Sequence, residues 1–259
     1  MTLFYRKYGN PENPAILVLH GLLGLSDNWD FFGKHFAERG FCVIVPDMRN
    51  HGMSPRMETF NYNVMADDVR KVLENENVKH CSVVGHSMGG KIAMTLAFKH
   101  PEMVDRLEIL DISPRAFDSP LEHIGFIAAM ESIDLKKVTR RVEVMEQLEK
   151  YNYEKRILLF LMKNLSYTRR HGFRWKPYLK PIYRNIDEIG RGFDSRLVYE
   201  GTTLFIRGGE SDYITENDIP AMRHHFPNHE MITFEKSGHW IHVDATEDFI
   251  GATERFMAL

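Results

Sequence analysis

A chain of 259 residues has room for one large α/β domain, or for a compact domain carrying an insertion. Hydrophobic residues at 43% and charged residues at 27% are ordinary for a soluble globular protein. A net charge of −3 and a pI near 6.5 give no electrostatic reason for a nucleic-acid or anionic-membrane partner, and no apolar run approaches the ~18 residues of a spanning helix.

The opening stretch, MTLFYRKYGNPENP, lacks the apolar core of a secretory signal. Short apolar runs then recur: AILVL at 15–19, FCVIV at 41–45, CSVVG at 81–85, LEIL at 107–110, TLFI at 203–206 and EMITF at 230–234. Several are nearly continuous and β-branched, as suits strands buried on both faces of a parallel sheet. Helical patterns lie between them, VMADDVRKVLENE at 64–76 and GGKIAMTLAFKHP at 89–101. Parallel neighbours need a crossover, so this alternation predicts an α/β fold: a mostly parallel wound sheet flanked by helices. The rhythm stops near Arg115. From there to Arg191 the apolar residues keep helical spacing without strand punctuation, followed by the aromatic and basic YTRRHGFRWKPYLKPIYRNI. Residues 115–191 therefore read as an inserted helical cap over the C-terminal edge of the sheet, and 1–114 with 192–259 as the core. Cys42 and Cys81 both fall in strand-like runs, which points to buried thiols and a reducing, cytoplasmic setting rather than a disulfide or metal site.

GHSMG at 85–89 fits G-x-S-x-G and lies between a strand pattern and a helix pattern. Glycines two residues before and two after Ser87 permit a turn sharp enough to raise its hydroxyl above the sheet. The alternative is a glycine-rich turn with a capping serine. A serine hydroxyl is a poor nucleophile at neutral pH, so a chemical role demands a base, a group to orient that base, and donors for the oxyanion.

Among thirteen histidines, His239 is the candidate base, because Gly238 favours a loop after the last strand that leans back toward Ser87. His242 reads as a solvent-facing or capping residue of the last helix. His80, His86 and His100 read as surface or packing histidines, with His86 near enough to Ser87 to shape a pocket floor. Two backbone N–H groups are expected to serve the oxyanion. One is Met88, at a helix N-terminus, and the other is Leu22, in the turn of VLHGLLG.

Two aspartates compete for the orienting role. Asp111 ends LEILDISP, and a right-handed crossover returns that strand parallel to the one before Ser87, about 4.8 Å away. Asp212 lies in LFIRGGESDYI after the next strand. An acid in the pattern G-x-x-D stands three residues after the glycine. Counting from Gly208 gives Ser211, so Asp212 is one residue late unless Gly209 is the glycine that counts. Asp111 is favoured, and Asp212 stays open.

Together HGLLG, DMRNHGMSP, GHSMGGK, LDISP and GHWIH resemble an α/β-hydrolase of the YbfF-type esterase group, from about Leu17 to Trp240. The resemblance implies a serine esterase or thioesterase acting on small acyl esters or thioesters, without metal or cofactor. It implies an acid at the aspartate of LDISP, which favours Asp111, and a bracing role for the loop Asp47–Gly52. Lys91 is shared with that group but has no role there that the sequence reveals. A serine at residue 87, rather than an aspartate, argues against dehalogenase or epoxide hydrolase chemistry. The alternatives are C–C bond or amide hydrolysis on the same residues, or a ligand-binding protein with little turnover. Arg169, Arg170, Arg174 and Lys176, beside Phe173 and Trp175, suggest a site for an anionic leaving group, with a solvated cap face as the alternative.

Overall fold

The computed structural model describes residues 1–117 and 121–258. Its strands, in chain order, are β1 (Tyr5–Tyr8), β2 (Ala15–Leu19), β3 (Cys42–Pro46), β4 (Cys81–His86), β5 (Val104–Leu110), β6 (Leu165–Thr168), β7 (Gly172–Trp175), β8 (Thr203–Gly208) and β9 (His229–Phe234). Seven of them form one sheet in the order β1-β3-β2-β4-β5-β8-β9, with every pairing parallel except that of β1 with β3. The antiparallel edge strand β1 lies outside the predicted runs. Its sequence, YRKY, is half exposed and carries no apolar run that periodicity could detect.

The helices α1 (Asp30–Ala37), α2 (Tyr62–Asn75) and α3 (Met88–Lys99) cross between the first strands. α4 (Leu121–Glu131), α5 (Arg141–Glu149), α6 (Lys155–Lys163), α7 (Leu179–Arg184) and α8 (Ile186–Ile189) lie between β5 and β8. α9 (Ile219–His225), α10 (Ile241–Asp244) and α11 (Thr246–Phe256) complete the chain. The two-residue period of a strand sends alternate side chains to opposite faces, and the core divides accordingly. Leu17, Leu19, Ile44 and Val83 pack with α2 and α3, whereas Ile16, Val18, Val43 and Val84 pack with α1 and α11.

Chain direction across the sheet reverses at β2, which has β3 on one side and β4 on the other. Connections leaving the C-terminal ends of β2 and β4 therefore diverge and leave a crevice, the usual position of a ligand site in an open α/β sheet. The HGLLG turn follows β2 and Ser87 follows β4, so both motifs stand at this crevice.

The segment between β5 and β8 departs from the all-helical expectation in one respect. Residues Leu165–Trp175 form an antiparallel hairpin, with Tyr167 opposite Phe173 and their rings 4.9 Å apart. Gly172, at φ +64°, takes the left-handed conformation that ends the turn.

Where this segment leaves and rejoins the sheet, the two connections run side by side. Phe117 N–H donates to Gly190 O at 3.0 Å, and Phe193 N–H to Pro114 O at 3.2 Å. Buried Lys91 reaches both from α3, its Nζ donating to Arg115 O at 2.8 Å and Arg191 O at 3.1 Å. Burial lowers its pKa to about 7.

Candidate active site

Ser87 is the turn residue between β4 and α3 and has φ +53° and ψ −119°, a conformation that non-glycine residues adopt only under constraint. The flanking glycines impose that constraint. A Cβ on Gly85 would lie 2.5 Å from Gly89 O, and one on Gly89 would lie 2.1 Å from Leu19 O. Any side chain at either position would force the helix away from the strand.

Asp111 also has a positive φ, +49°, immediately after β5, and it is completely buried. Three donors surround its carboxylate. Gly208 N–H donates to Oδ1 at 3.0 Å, Ser211 Oγ–H donates to Oδ2, and His239 Nδ1 stands 2.8 Å from Oδ2. Asp212, one residue beyond Ser211, is exposed.

His239 is fixed on several sides. With Nδ1–H directed at Asp111, its Nε2 is left as an acceptor. The Tyr213 ring stacks on the imidazole at 3.7 Å and 15°. His86 Nε2–H donates to the His239 carbonyl at 2.8 Å, and Gly238 N–H donates to Asp244 Oδ2 at 3.0 Å.

The turn carrying Leu22 is closed by Gly24 N–H to Gly21 O at 2.9 Å. It is braced by the loop after β3. Leu23 N–H donates to His51 Nε2 at 3.0 Å, and Ser26 N–H donates to Asp47 Oδ1 at 2.7 Å. His20 Nε2 in turn accepts Met48 N–H at 3.0 Å. A ring nitrogen that accepts an N–H bond is unprotonated, and burial lowers the His20 pKa and takes that of His51 to about 3. Gly21 lets this turn lie close against the end of β4, since a Cβ there would come within 3.0 Å of His86 Nδ1. Met88 begins α3, so its N–H has no acceptor within the helix.

Ser87, Leu22 and His239 line one cavity of about 330 Å³. Its outer wall comes from α4 and α6, through Phe126, Ile157 and Phe160 among others. His242 also lines it, contrary to the solvent-facing role expected from sequence. Its ring stacks on Trp29 at 4.6 Å and meets His86 edge-on at 4.8 Å. The reason is that α10 is a separate short helix ahead of α11, and it turns this face inward. His123, from α4, is a further lining residue that the sequence reading did not single out. Burial lowers the pKa of His123 to about 4 and of His242 to about 3, so both rings are neutral at physiological pH. His123 sits in no recognisable motif, whereas His242 closes GHWIH, a stretch read for His239 alone. Trp29, one residue ahead of α1, carries no signal beyond its size.

The basic and aromatic segment does not reach this site. Arg169, Arg170, Arg174 and Lys176 are absent from the cavity lining among the described residues; the first three lie on the Leu165–Trp175 hairpin and Lys176 follows it. The cations that do line the cavity are Arg156 and Lys163 of α6.

A family profile described as the alpha/beta hydrolase fold matches residues 14–152. The chain is 36% identical over 256 residues to the sn-1-specific diacylglycerol lipase ABHD11 of Mus musculus, covering 96% of this chain and 83% of that protein. It is 26% identical over 246 residues to the esterase YbfF of Escherichia coli, covering 95% and 94%. Among solved structures, a marine microorganism esterase superposes with a TM-score of 0.94 at 35% identity, covering 98% of this chain and 99% of that one.

Proposed function

The chain belongs to the α/β-hydrolase fold family of serine hydrolases and is an ester hydrolase, and on that premise we propose that Ser87, His239 and Asp111 form its catalytic triad. The observation that carries this reading is the 2.8 Å approach of His239 Nδ1 to the buried Asp111 carboxylate, with Ser87 lining the same cavity as His239.

Ser87 Oγ attacks the acyl carbonyl while His239 Nε2 takes the hydroxyl proton. Asp111 holds the imidazole in the tautomer with Nε2 free and stabilises the imidazolium that forms. Negative charge on the carbonyl oxygen meets the Leu22 and Met88 N–H groups, and loss of one such donor in other hydrolases costs roughly 3 kcal/mol. The bond to the alcohol or thiol then breaks, and His239 returns the proton to that leaving group. Water enters, gives a proton to His239 and a hydroxyl to the acyl carbon; the bond from that carbon to Ser87 Oγ then breaks, Oγ takes the proton back from His239, and the acid departs.

Residues 115–191 act as the cap in this reading, since α4 and α6 supply the outer wall over the reacting centre. The cavity volume is at the low end of small-molecule sites. With its largely aliphatic and aromatic wall, that size suits the acyl part of a small ester or thioester. Both cysteines are free and buried, which supports a reducing, cytoplasmic setting. Among the described residues, no helix is long and apolar enough to cross a membrane.

The test is a rapid-mixing assay with 4-nitrophenyl butyrate. A stoichiometric burst of 4-nitrophenol is expected from the native chain and none from Ser87→Ala. Turnover by Ser87→Ala at the native rate would remove the serine mechanism, and the absence of both a burst and steady release of 4-nitrophenol from the native chain would favour a binding protein.

A further inference from the structure

Two cations and no carboxylate line the cavity among the described residues. Arg156 and Lys163 are seven residues apart on α6, about two helical turns, which places them on one face of the helix. Phe126, Ile157 and Phe160 supply apolar wall to the same cavity. Arg156 is held in place rather than free. Its Nε is 2.9 Å from Glu154, its Nη1 is 3.7 Å from Asp244, and its guanidinium lies over the Trp240 ring at 5.5 Å. Trp240 follows His239 directly and meets Phe160 at 5.1 Å, so this ordered cluster adjoins the catalytic histidine.

Glu154 and Asp244 offset the Arg156 charge, which leaves Lys163 as the dominant positive charge facing the cavity. The neutral rings of His123 and His242 add nothing to that field, and low-dielectric walls concentrate it inside the cleft. A wholly apolar ester makes no use of such a charge. We propose that the α6 side of the cavity is a subsite for an anionic group, carboxylate or phosphate, carried by the ester at several bonds from the scissile carbonyl. The inference rests on the serine-esterase reading of the same cavity and names Lys163 as its principal specificity residue, with Arg156 as a fixed second donor.

The experiment compares kcat/KM for matched anionic and neutral esters. In one arm the anion is on the acyl side: mono-4-nitrophenyl suberate against its methyl ester. In the other it is on the leaving group: 4-(octanoyloxy)benzoate against its methyl ester. The native chain is expected to prefer the anionic member of one pair by about fivefold, the effect of an ion pair near a surface, and salt should weaken that preference. Lys163→Met should bring the ratio close to one, and the ratio is insensitive to a general loss of active protein. The arm that responds identifies the side of the ester that bears the charge. A native ratio at or below one in both arms, or a ratio that Lys163→Met leaves unmoved, overturns the subsite. Ser87→Ala, tested on the neutral esters, separates that outcome from a failure of the serine mechanism.

Discussion

Ser211 donates a hydrogen bond to Asp111 Oδ2, the same carboxylate oxygen that faces His239 Nδ1. Ser211 stands three residues after Gly208, where the G-x-x-D pattern would place an acid. The carboxylate instead comes from the end of β5, and the residue at the other position supports it. β5 and β8 are hydrogen-bonded neighbours, with Leu110 opposite Ile206, so the two positions converge on one point beside His239.

Asp111→Asn is expected to lower kcat by about three to four orders of magnitude while leaving KM within a few fold, since it removes the carboxylate that sets the His239 tautomer. Asp212→Asn, at an exposed residue, should change kcat by less than threefold. Steady-state kinetics on 4-nitrophenyl butyrate reads both, and comparable losses in the two variants would remove Asp111 from the proposed triad.

Because the two positions converge, the acid should be transferable. Ser211→Asp in the Asp111→Asn background is expected to recover at least tenfold in kcat over Asp111→Asn alone, short of the native value. Ser211→Asp by itself puts two carboxylates on one site and raises the pKa of one of them, so its activity should rise with pH more steeply than that of the native chain. Absence of any recovery in the double variant argues that the Ser211 position cannot orient His239.

Lys91 ties both connections of the segment between β5 and β8 to α3, the helix that begins at Met88. Lys91→Met leaves Arg115 O and Arg191 O without this donor. Hydrogen exchange at the Phe117 and Phe193 amides, which join the two connections, should then accelerate by about tenfold, with exchange within β4 and β5 unchanged. Equal protection in both proteins would mean that Lys91 does not pin the joint.

Glu108 of β5 is fully buried, and its Oε1 accepts the Thr253 hydroxyl. Burial raises its pKa from 4.5 to about 8. Below pH 4.5 the folded and unfolded chains both hold this proton, and its stabilising effect is complete. Between pH 4.5 and 8 the unfolded chain has released the proton and the folded chain has not, so stability falls as pH rises. Above 8 the contribution is flat. Glu108→Gln keeps a neutral side chain throughout, and denaturant unfolding should find it more stable than the native chain at pH 8 by on the order of 2–4 kcal/mol, converging near pH 4.5. A constant difference across that range would show that Glu108 does not titrate in the folded protein.

The wound sheet was readable in the sequence because both-face burial forces long apolar runs, and the runs at 15–19, 41–45 and 81–85 became β2, β3 and β4. β1 was not, because an exposed edge strand gains its order from pairing with β3 rather than from an apolar pattern. The hairpin Leu165–Trp175 was missed for a similar reason. Its cross-strand ring contact between Tyr167 and Phe173 exists only once the chain has turned back.

From the sequence alone came the α/β architecture and the names of Ser87, His239, Leu22 and Met88, because each belongs to a local motif whose backbone requirements are written in neighbouring glycines and apolar runs. Which aspartate faces His239, what Lys91 joins, and why His242 lines the cavity were decided by tertiary structure. Each depends on a contact between residues far apart in the chain: Asp111 and Ser211 meet only because β5 pairs with β8. Likewise Lys91 meets Arg115 and Arg191 only where the segment between β5 and β8 leaves and rejoins the sheet. Strand neighbours in a parallel sheet are set by packing both faces at once, a global condition that no local stretch of sequence contains.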